Sequence, residues 1–296
     1  MKKRILFIIN PVAGIRRKDR IPRYINKYLD HAHFDYDVIY TESRGHATEI
    51  AANAIKQKFD IVAVAGGDGS VNEVASGLIG SDVALAIIPS GSGNGLARHL
   101  VYSINIHSTL QIINDYSVKK IDVCKINDNF FFSLIGIGFD AFAAKVFSRE
   151  ETRGFLTYAW SAIKSISAFD AFDFKLHSKE KEISGKTFMI NVCNSNQYGY
   201  NVKIAPHARL SDGLVDVIIL DDVPKWKLPV IVCELLMKMH LKSRHISSFQ
   251  TKELLIESSN YSYLQIDGET VPKDKSFKIA VLPLALTVLV NKNKFN

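Results

Sequence analysis

The sequence predicts an α/β domain on a parallel sheet at its N-terminus, followed by a second, β-rich domain of sandwich type. Three observations carry this. Apolar runs alternate with helical-period segments through the first hundred residues. From about residue 118 short strand-like runs dominate instead. Small-residue, glycine-rich loops follow the N-terminal apolar runs, where open parallel sheets bind their ligands.

Residues 4–9 (RILFII) read as a buried strand, 19–30 as a helix and 36–41 (YDVIYT) as a strand. Residues 46–57 place Ile50, Ala51, Ala54 and Ile55 on one helical face. Residues 60–65 (DIVAVA) form the next strand. Val71, Val74, Ala75 and Leu78 then mark a helix over 70–79, and 83–88 (VALAII) a further strand. The later strand-like runs are 118–126, 130–136, 186–193, 214–220, 253–257, 261–266 and 277–282, with helical patches near 152–168 and 225–241. The expected boundaries are an α/β domain over 1–118 and a β-rich domain over 119–283, with 284–296 returning to the first.

With 296 residues, 47% of them hydrophobic and 23% charged, the chain is globular rather than disordered. A net charge of +7 suits phosphate-bearing substrates or anionic membranes. No nucleic-acid recognition module accompanies it, so nucleic acid is not an expected partner. Cys124, Cys193 and Cys233 match no metal spacing and read as thiols of a reducing, cytoplasmic compartment. The run Ile5 to Ile9 is too short for a signal peptide, and Leu228 to Met237 is too short to span a bilayer.

The chemistry is expected in the loops. Gly66-Gly67-Asp68-Gly69-Ser70-Val71-Asn72-Glu73 leaves a buried strand and opens a helix, so backbone N–H groups can face an anion. Gly-Gly-Asp-Gly would also suit a plain strand-to-helix turn. Asp68 in an anion-friendly loop makes sense as a Mg²⁺ organiser. Pro89 to Asn94 (PSGSGN) is a second such loop, with Arg98 a turn later. It lacks the lysine of a Walker loop, and neither loop fits a dinucleotide fingerprint. Asn10-Pro11-Val12-Ala13-Gly14, followed by Arg16, Arg17 and Lys18, and Thr41 with Gly45-His46-Ala47 add two more loops at the same predicted edge.

Taken together these motifs resemble the catalytic domain shared by diacylglycerol kinases, sphingosine kinases and bacterial lipid kinases. Gly136-Ile137-Gly138-Phe139-Asp140-Ala141 resembles the family's substrate-side motif. Pro206 to Asp216 (PHARLSDGLVD) resembles its β-domain motif, and Ile266-Asp267-Gly268-Glu269 its acidic C-terminal motif. The resemblance implies an NAD-kinase/diacylglycerol-kinase-like fold and an ATP- and Mg²⁺-dependent kinase acting on a lipid hydroxyl. It implies that Asn10, Pro11, Val12, Ala13, Gly14, Thr41, Gly66, Gly67, Asp68, Gly69, Ser70, Asn72, Glu73, Ser92, Gly93 and Asn94 contact ATP. Asp68 would organise Mg²⁺ and phosphates. Asp267 is favoured as the general base for the lipid hydroxyl and Glu269 as the metal-side carboxylate. Asp122 resembles an acid of the metal–water network. A second Mg²⁺ would sit on Asp212 with the backbone carbonyls of Arg209 and Leu214. Asp140 would lie on the substrate side, and Arg153 resembles an arginine that reaches phosphate.

Two positions depart from the family pattern. Gly95 follows Asn94 where diacylglycerol kinases usually carry Asp, and Ser70 stands where Thr is commoner; the first puts diacylglycerol in doubt as the acceptor. NAD-kinase-like activity on a soluble acceptor and a non-catalytic sensor are the alternatives, although Asp68, Asp267 and Glu269 are all present. Residues 223–246 mix Trp226, Leu228, Val230, Leu235, Leu236 and Met239 with Lys225, Lys227, Lys238, Lys242 and Arg244. That composition suits peripheral contact with an anionic membrane, or a helix packed on the β domain with a basic outer face. A homodimer is left open.

Overall fold

The computed structural model describes residues 2–12, 20–100, 102–103, 105–148, 155–199 and 202–292. The chain divides into two compact units, one of residues 1–123 with 283–296, the other of residues 124–282.

In the first unit β1 (Lys3–Ile9) pairs in parallel with β2 (Phe34–Tyr40) on one side and β3 (Ile61–Gly66) on the other. Next to β3 lies β4 (Ala84–Pro89), again parallel, with Ala63 opposite Ala86. Every residue of β3 and β4 is buried, as a parallel strand with both faces covered must be. Helices α1 (Ile21–Tyr28), α2 (His46–Lys56) and α3 (Asp68–Leu78) connect the strands. In α2, Ala47, Ile50, Ala51 and Ala54 are buried, a stripe at the predicted helical spacing. The C-terminal ends of β1, β2, β3 and β4 lie at one edge of this sheet because the strands are parallel. The loops starting at residues 10, 41, 67 and 90 therefore emerge together. Two helices beyond those expected from the sequence follow: α4 (Gly95–His99) and α5 (Ile106–Asp115), the latter capped by Asn105, whose side chain accepts from the His107 N–H.

The second unit starts within β5 (Val118–Ile126), which forms a hairpin with β6 (Asn129–Phe131). The predicted run 130–136 is broken at Phe132-Ser133, and β7 (Leu134–Gly138) starts anew. Helix α6 (Phe139–Ser148) follows directly, then α7 (Phe155–Ser165). The remaining elements are β8 (Phe172–Ser178), β9 (Glu182–Cys193), β10 (Val215–Asp221), α8 (Leu228–Leu236) between two 3₁₀ turns, β11 (Ile246–Thr251), β12 (Glu253–Ile266) and β13 (Glu269–Leu289). Pairing among them is antiparallel. The long strands β9 and β12 each pair with β8 along one stretch and with β7 along another, so the pairing closes into a ring. Leu176, Phe188, Ile190, Ile256 and Phe277 fill its core. The predicted runs 253–257 and 261–266 belong to this one strand, β12, whose register shifts between Glu257 and Ser262. Among the described residues no helix is long and apolar enough to cross a membrane.

Candidate active site

The first unit brings the predicted loops together through close backbone contact. A Cβ on Gly91 would lie 2.5 Å from the Gly67 Cα, so the loops after β3 and β4 touch backbone to backbone. Only glycine permits that approach. The Ser90 N–H donates to the Gly66 carbonyl at 2.9 Å, which extends the β3–β4 pairing into the loops.

Asp68 is the first residue of α3, and its carboxylate faces the second loop. Oδ2 accepts from the Asn94 N–H at 2.8 Å and Oδ1 from the Gly95 N–H at 2.7 Å. The anion thus caps the start of α4, the place a helix dipole favours negative charge. Asn94, buried and left-handed at φ 54°, closes its own loop by bonding both the N–H and the carbonyl of Gly91. Arg98 Nε donates to the Gly93 carbonyl at 3.0 Å. Ser92 and Gly93 stand half-buried in that loop.

The remaining loops join the same set. Asn10 Nδ2 donates to Ser70 Oγ at 2.9 Å, and Asn10 Oδ1 accepts from the Val12 N–H at 3.0 Å. Pro11 and Val12 are exposed beside it. Glu73 Oε1 accepts from the Gly45 N–H at 2.9 Å, tying the loop after β2 to α3. Thr41 is buried, its N–H bonded to the Ile9 carbonyl. Asn72 accepts from Ser76 within α3. Gly67 caps α3 without a side-chain hydrogen bond, so the Gly69 and Ser70 amides of its first turn have no intrahelical acceptor. That is where this unit can receive an anion. Ala13, Gly14, Arg16, Arg17, Lys18 and Arg153 lie outside the described residues.

Asp122 is fully buried in β5, and Oδ1 accepts from the Leu284 N–H at 2.8 Å.

In the second unit Asp267 and Gly268 form the two-residue turn between β12 and β13, with φ 48° and 87° and with Ile266 opposite Glu269. Both left-handed values are those of the type I′ hairpin that Asp-Gly favours. The Asp267 carboxylate is buried and accepts three backbone N–H groups: Phe132 at 3.0 Å, Ser133 at 2.8 Å and Leu134 at 3.1 Å. These are the donors freed where β6 and β7 break apart. Glu269, two residues on, is exposed.

A buried polar chain runs from this turn to Asp140 in the Gly136–Ala141 motif. Gln265 Oε1 accepts from the Gly268 N–H at 2.7 Å, while its Nε2 donates to Asp140 Oδ2 at 2.9 Å. Asn191 Nδ2 donates to the same oxygen at 3.0 Å, and the Tyr198 hydroxyl donates to Asn191 Oδ1 at 2.9 Å. Gly136 makes room for it, since a Cβ there would fall 1.9 Å from Asp140 Oδ2. Gln265, Asn191 and Tyr198 were not anticipated. The available signal was a single amide inside an apolar strand, as in Ile190-Asn191-Val192 and Leu264-Gln265-Ile266.

Asp212 Oδ1 accepts from the Leu214 N–H at 3.1 Å, a compact turn; Arg209, three residues earlier, is exposed. Burial pushes the Asp216 carboxyl above the usual carboxylate range; the Gln250 amide opposes this, and the charge of Asp212 adds to it. Among the described residues no group of three or more His, Cys, Asp or Glu is placed to hold a metal. A hard cation here would therefore rely on one or two carboxylates, carbonyls and water, as Mg²⁺ commonly does.

Residues 4–126 match the family model described as the diacylglycerol kinase catalytic domain, and residues 133–290 match that of the YegS C-terminal NAD kinase beta sandwich-like domain. The chain belongs to the diacylglycerol kinase and YegS family, and it is a lipid kinase. It is 27% identical over 274 residues to a diacylglycerol kinase of Staphylococcus saprophyticus, covering 91% of this chain and 90% of that one. A diacylglycerol kinase of Bacillus subtilis is 26% identical over 273 residues, covering 90% of each. The crystal structure of a diacylglycerol kinase from Bacillus anthracis covers 98% of both chains with a TM-score of 0.73 at 22% identity. A second Bacillus anthracis chain reaches 0.80 at 23% identity over the same share. At such identities the structural likeness carries the fold.

Two outcomes follow for the lipid kinase. Asp68→Ala removes two hydrogen bonds to a charged group and unties α4, which should cost about 2–4 kcal/mol of stability, measured by denaturant unfolding. An unchanged midpoint would show that these bonds do not hold the loop. For Asp216 the folded state holds the proton more tightly than the unfolded chain. Its ionisation therefore lowers stability as pH rises from about 4 through the raised folded value. Asp216→Asn should flatten that part of a thermal-stability profile in metal-free buffer, and an unaltered profile would discount the shift.

Proposed function

We propose that this lipid kinase transfers the γ-phosphate of ATP to a hydroxyl of a membrane lipid, with Mg²⁺ as its metal. The observation that carries the reading is the Gly67–Gly91 contact beside the uncapped start of α3. That arrangement leaves backbone donors, with no Cβ over them, for a polyphosphate. Asn10, Ser70, Thr41 and the loop of Ser92 surround the same edge and would complete the nucleotide contacts, with Ala13 and Gly14 following in sequence. Glu73, Asn94 and Asp68 would act by holding the loops in place, and Asp68 would also face the bound metal.

In the reaction the lipid oxygen forms a bond to the γ-phosphorus, the bond to the β-phosphate oxygen breaks, and the hydroxyl proton leaves to a carboxylate. The metal, when bound, neutralises charge on the transferring phosphate. We assign the proton to Asp267 and the metal side to Glu269. Three amide donors fix the Asp267 carboxyl group in one orientation. A rigidly held carboxylate that aligns the hydroxyl suits a transfer in which positioning does most of the work. Asp140 would orient the acceptor, held by Asn191 and Gln265, with Arg153 reaching phosphate. Asp122 would support the metal's water network through the backbone it fixes. Asp212, with the carbonyls of Arg209 and Leu214, would hold a second, structural Mg²⁺. The relatives named diacylglycerol kinase make diacylglycerol the first acceptor to test, and Gly95 makes a sphingoid base the second.

The test is transfer of labelled γ-phosphate into a panel of lipids in mixed micelles, with and without Mg²⁺ and with NAD as a soluble control. A labelled lipid that disappears when Mg²⁺ is chelated is the expected product; labelled NAD alone would overturn the lipid assignment. Asp267→Asn should lower kcat by about 10²–10⁴-fold with a smaller change in ATP affinity. Its amide cannot accept all three N–H groups, so its thermal midpoint should fall as well. Equal losses in turnover and ATP affinity would remove Asp267 from the proton-accepting role.

A further inference from the structure

Helix α8 turns its apolar side the wrong way for a core helix. Leu228 and Ile231 face inward and are buried. Val230, Val232, Cys233, Leu236 and Met237 are exposed on the other side, and Trp226, 73% exposed, stands just before the helix. The acid of this helix, Glu234, has its Oε2 buried rather than on that outer side. The outward face is therefore predominantly apolar, with Glu234 only partly exposed beside it.

Cations bracket it. Residues 225–244 contain five Lys or Arg and one acid. Lys227 lies at the N-terminal end, its Nζ 5.4 Å from the Trp226 ring. Lys238, Lys242 and Arg244 lie exposed at the other end. The helix closes with Lys238 at φ 59°, a left-handed position where glycine is the usual residue, and with the Met239 N–H bonded to the Glu234 carbonyl. A glycine there would omit the cation. Lys225 instead anchors the turn before the helix, reaching the Ser167 carbonyl at 3.0 Å and Asp170 at 3.1 Å.

We propose that this face of α8, led by Trp226, is the surface by which the chain lies on an anionic bilayer. Apolar side chains would enter the headgroup boundary while lysines and arginine meet lipid phosphates. A second copy of the chain is the competing occupant. Stacking two such faces antiparallel would set Lys227 of one near Lys238 and Lys242 of the other, so like charges oppose it. The proposal rests on the lipid-kinase reading only for why a bilayer is the relevant surface.

The experiment needs no ATP. The chain is sedimented with phosphatidylglycerol–phosphatidylcholine vesicles and with pure phosphatidylcholine vesicles, at low and high salt. Wild-type protein should partition onto the anionic vesicles and release with salt. Trp226→Ser combined with Leu236→Ser should weaken partitioning on the order of tenfold. Lys238→Glu with Lys242→Glu should abolish the preference for anionic lipid. These side chains are exposed, so the variants should keep the wild-type thermal midpoint. With two Trp in the chain, brominated lipid should quench part of the emission of wild type and none of that of Trp226→Phe. Partitioning unchanged by either double variant would overturn the proposal. So would a concentration-dependent wild-type dimer that Trp226→Ser with Leu236→Ser dissolves. Vesicle binding without phosphorylation of any lipid would sink the kinase reading and leave the docking face standing.

Discussion

Irregular backbone inside a folded protein carries N–H groups that no helix or strand partner satisfies, and leaving them bare costs about 1–3 kcal/mol each. In this protein carboxyl and amide side chains satisfy them. Asp267 takes three donors from the break between β6 and β7, Asp68 takes two from the start of α4, and Asp122 takes one from Leu284. Glu73 does the same for Gly45, and Gln265 for Gly268. The loops hold their shapes because acids sit inside them, and the acids sit inside because the loops supply enough donors to offset burial.

This gives the acidic residues two roles at once. A carboxylate fixed by several amides loses the freedom to swing towards solvent, so its charge has one location. Such preorganised charge is what phosphoryl transfer requires of a protein, since little covalent work falls to it. The Tyr198–Asn191–Asp140–Gln265 chain extends the same logic, linking the Gly136–Ala141 motif to the Asp267-Gly268 turn through hydrogen bonds. A change at Asn191 or Gln265 would reach the turn without either residue meeting a substrate.

Much of the first unit could be read from the chain because its signals are local. Strands β3, β4 and, from Ile5 on, β1 are apolar runs, and α2 carries a clear helical stripe. Helix α3 starts two residues earlier than its apolar period suggests, because Gly67 caps it and Asp68 opens it. Helix α4 is five residues long, too short for any period to register, while the Asn105 cap of α5 was an available signal. In the second unit the break at Phe132-Ser133 depends on Asp267, more than 130 residues later, and no window of sequence contains both. The motif residues were legible as a set, whereas the hydrogen-bond partners of Asp68, Glu73 and Asp122 were not. A carboxylate's partners are decided by which loop backbone the fold carries past it.

The last strand has a consequence for the order in which the protein is made. The end of β13 lies beside β4, with Val288 opposite Leu85. Around it the Ala285 carbonyl accepts from Gly80, the Leu289 carbonyl accepts from the Tyr102 hydroxyl, and Leu284 donates to Asp122. The first unit is therefore finished by residues that are made after the whole of the second unit. While some 160 intervening residues are synthesised, the side of β4 facing that strand has no partner. An exposed, fully apolar strand edge is a hazard during that interval. Vectorial synthesis thus makes the second unit's completion a precondition for the first, a reversal of the usual N-terminal-first order.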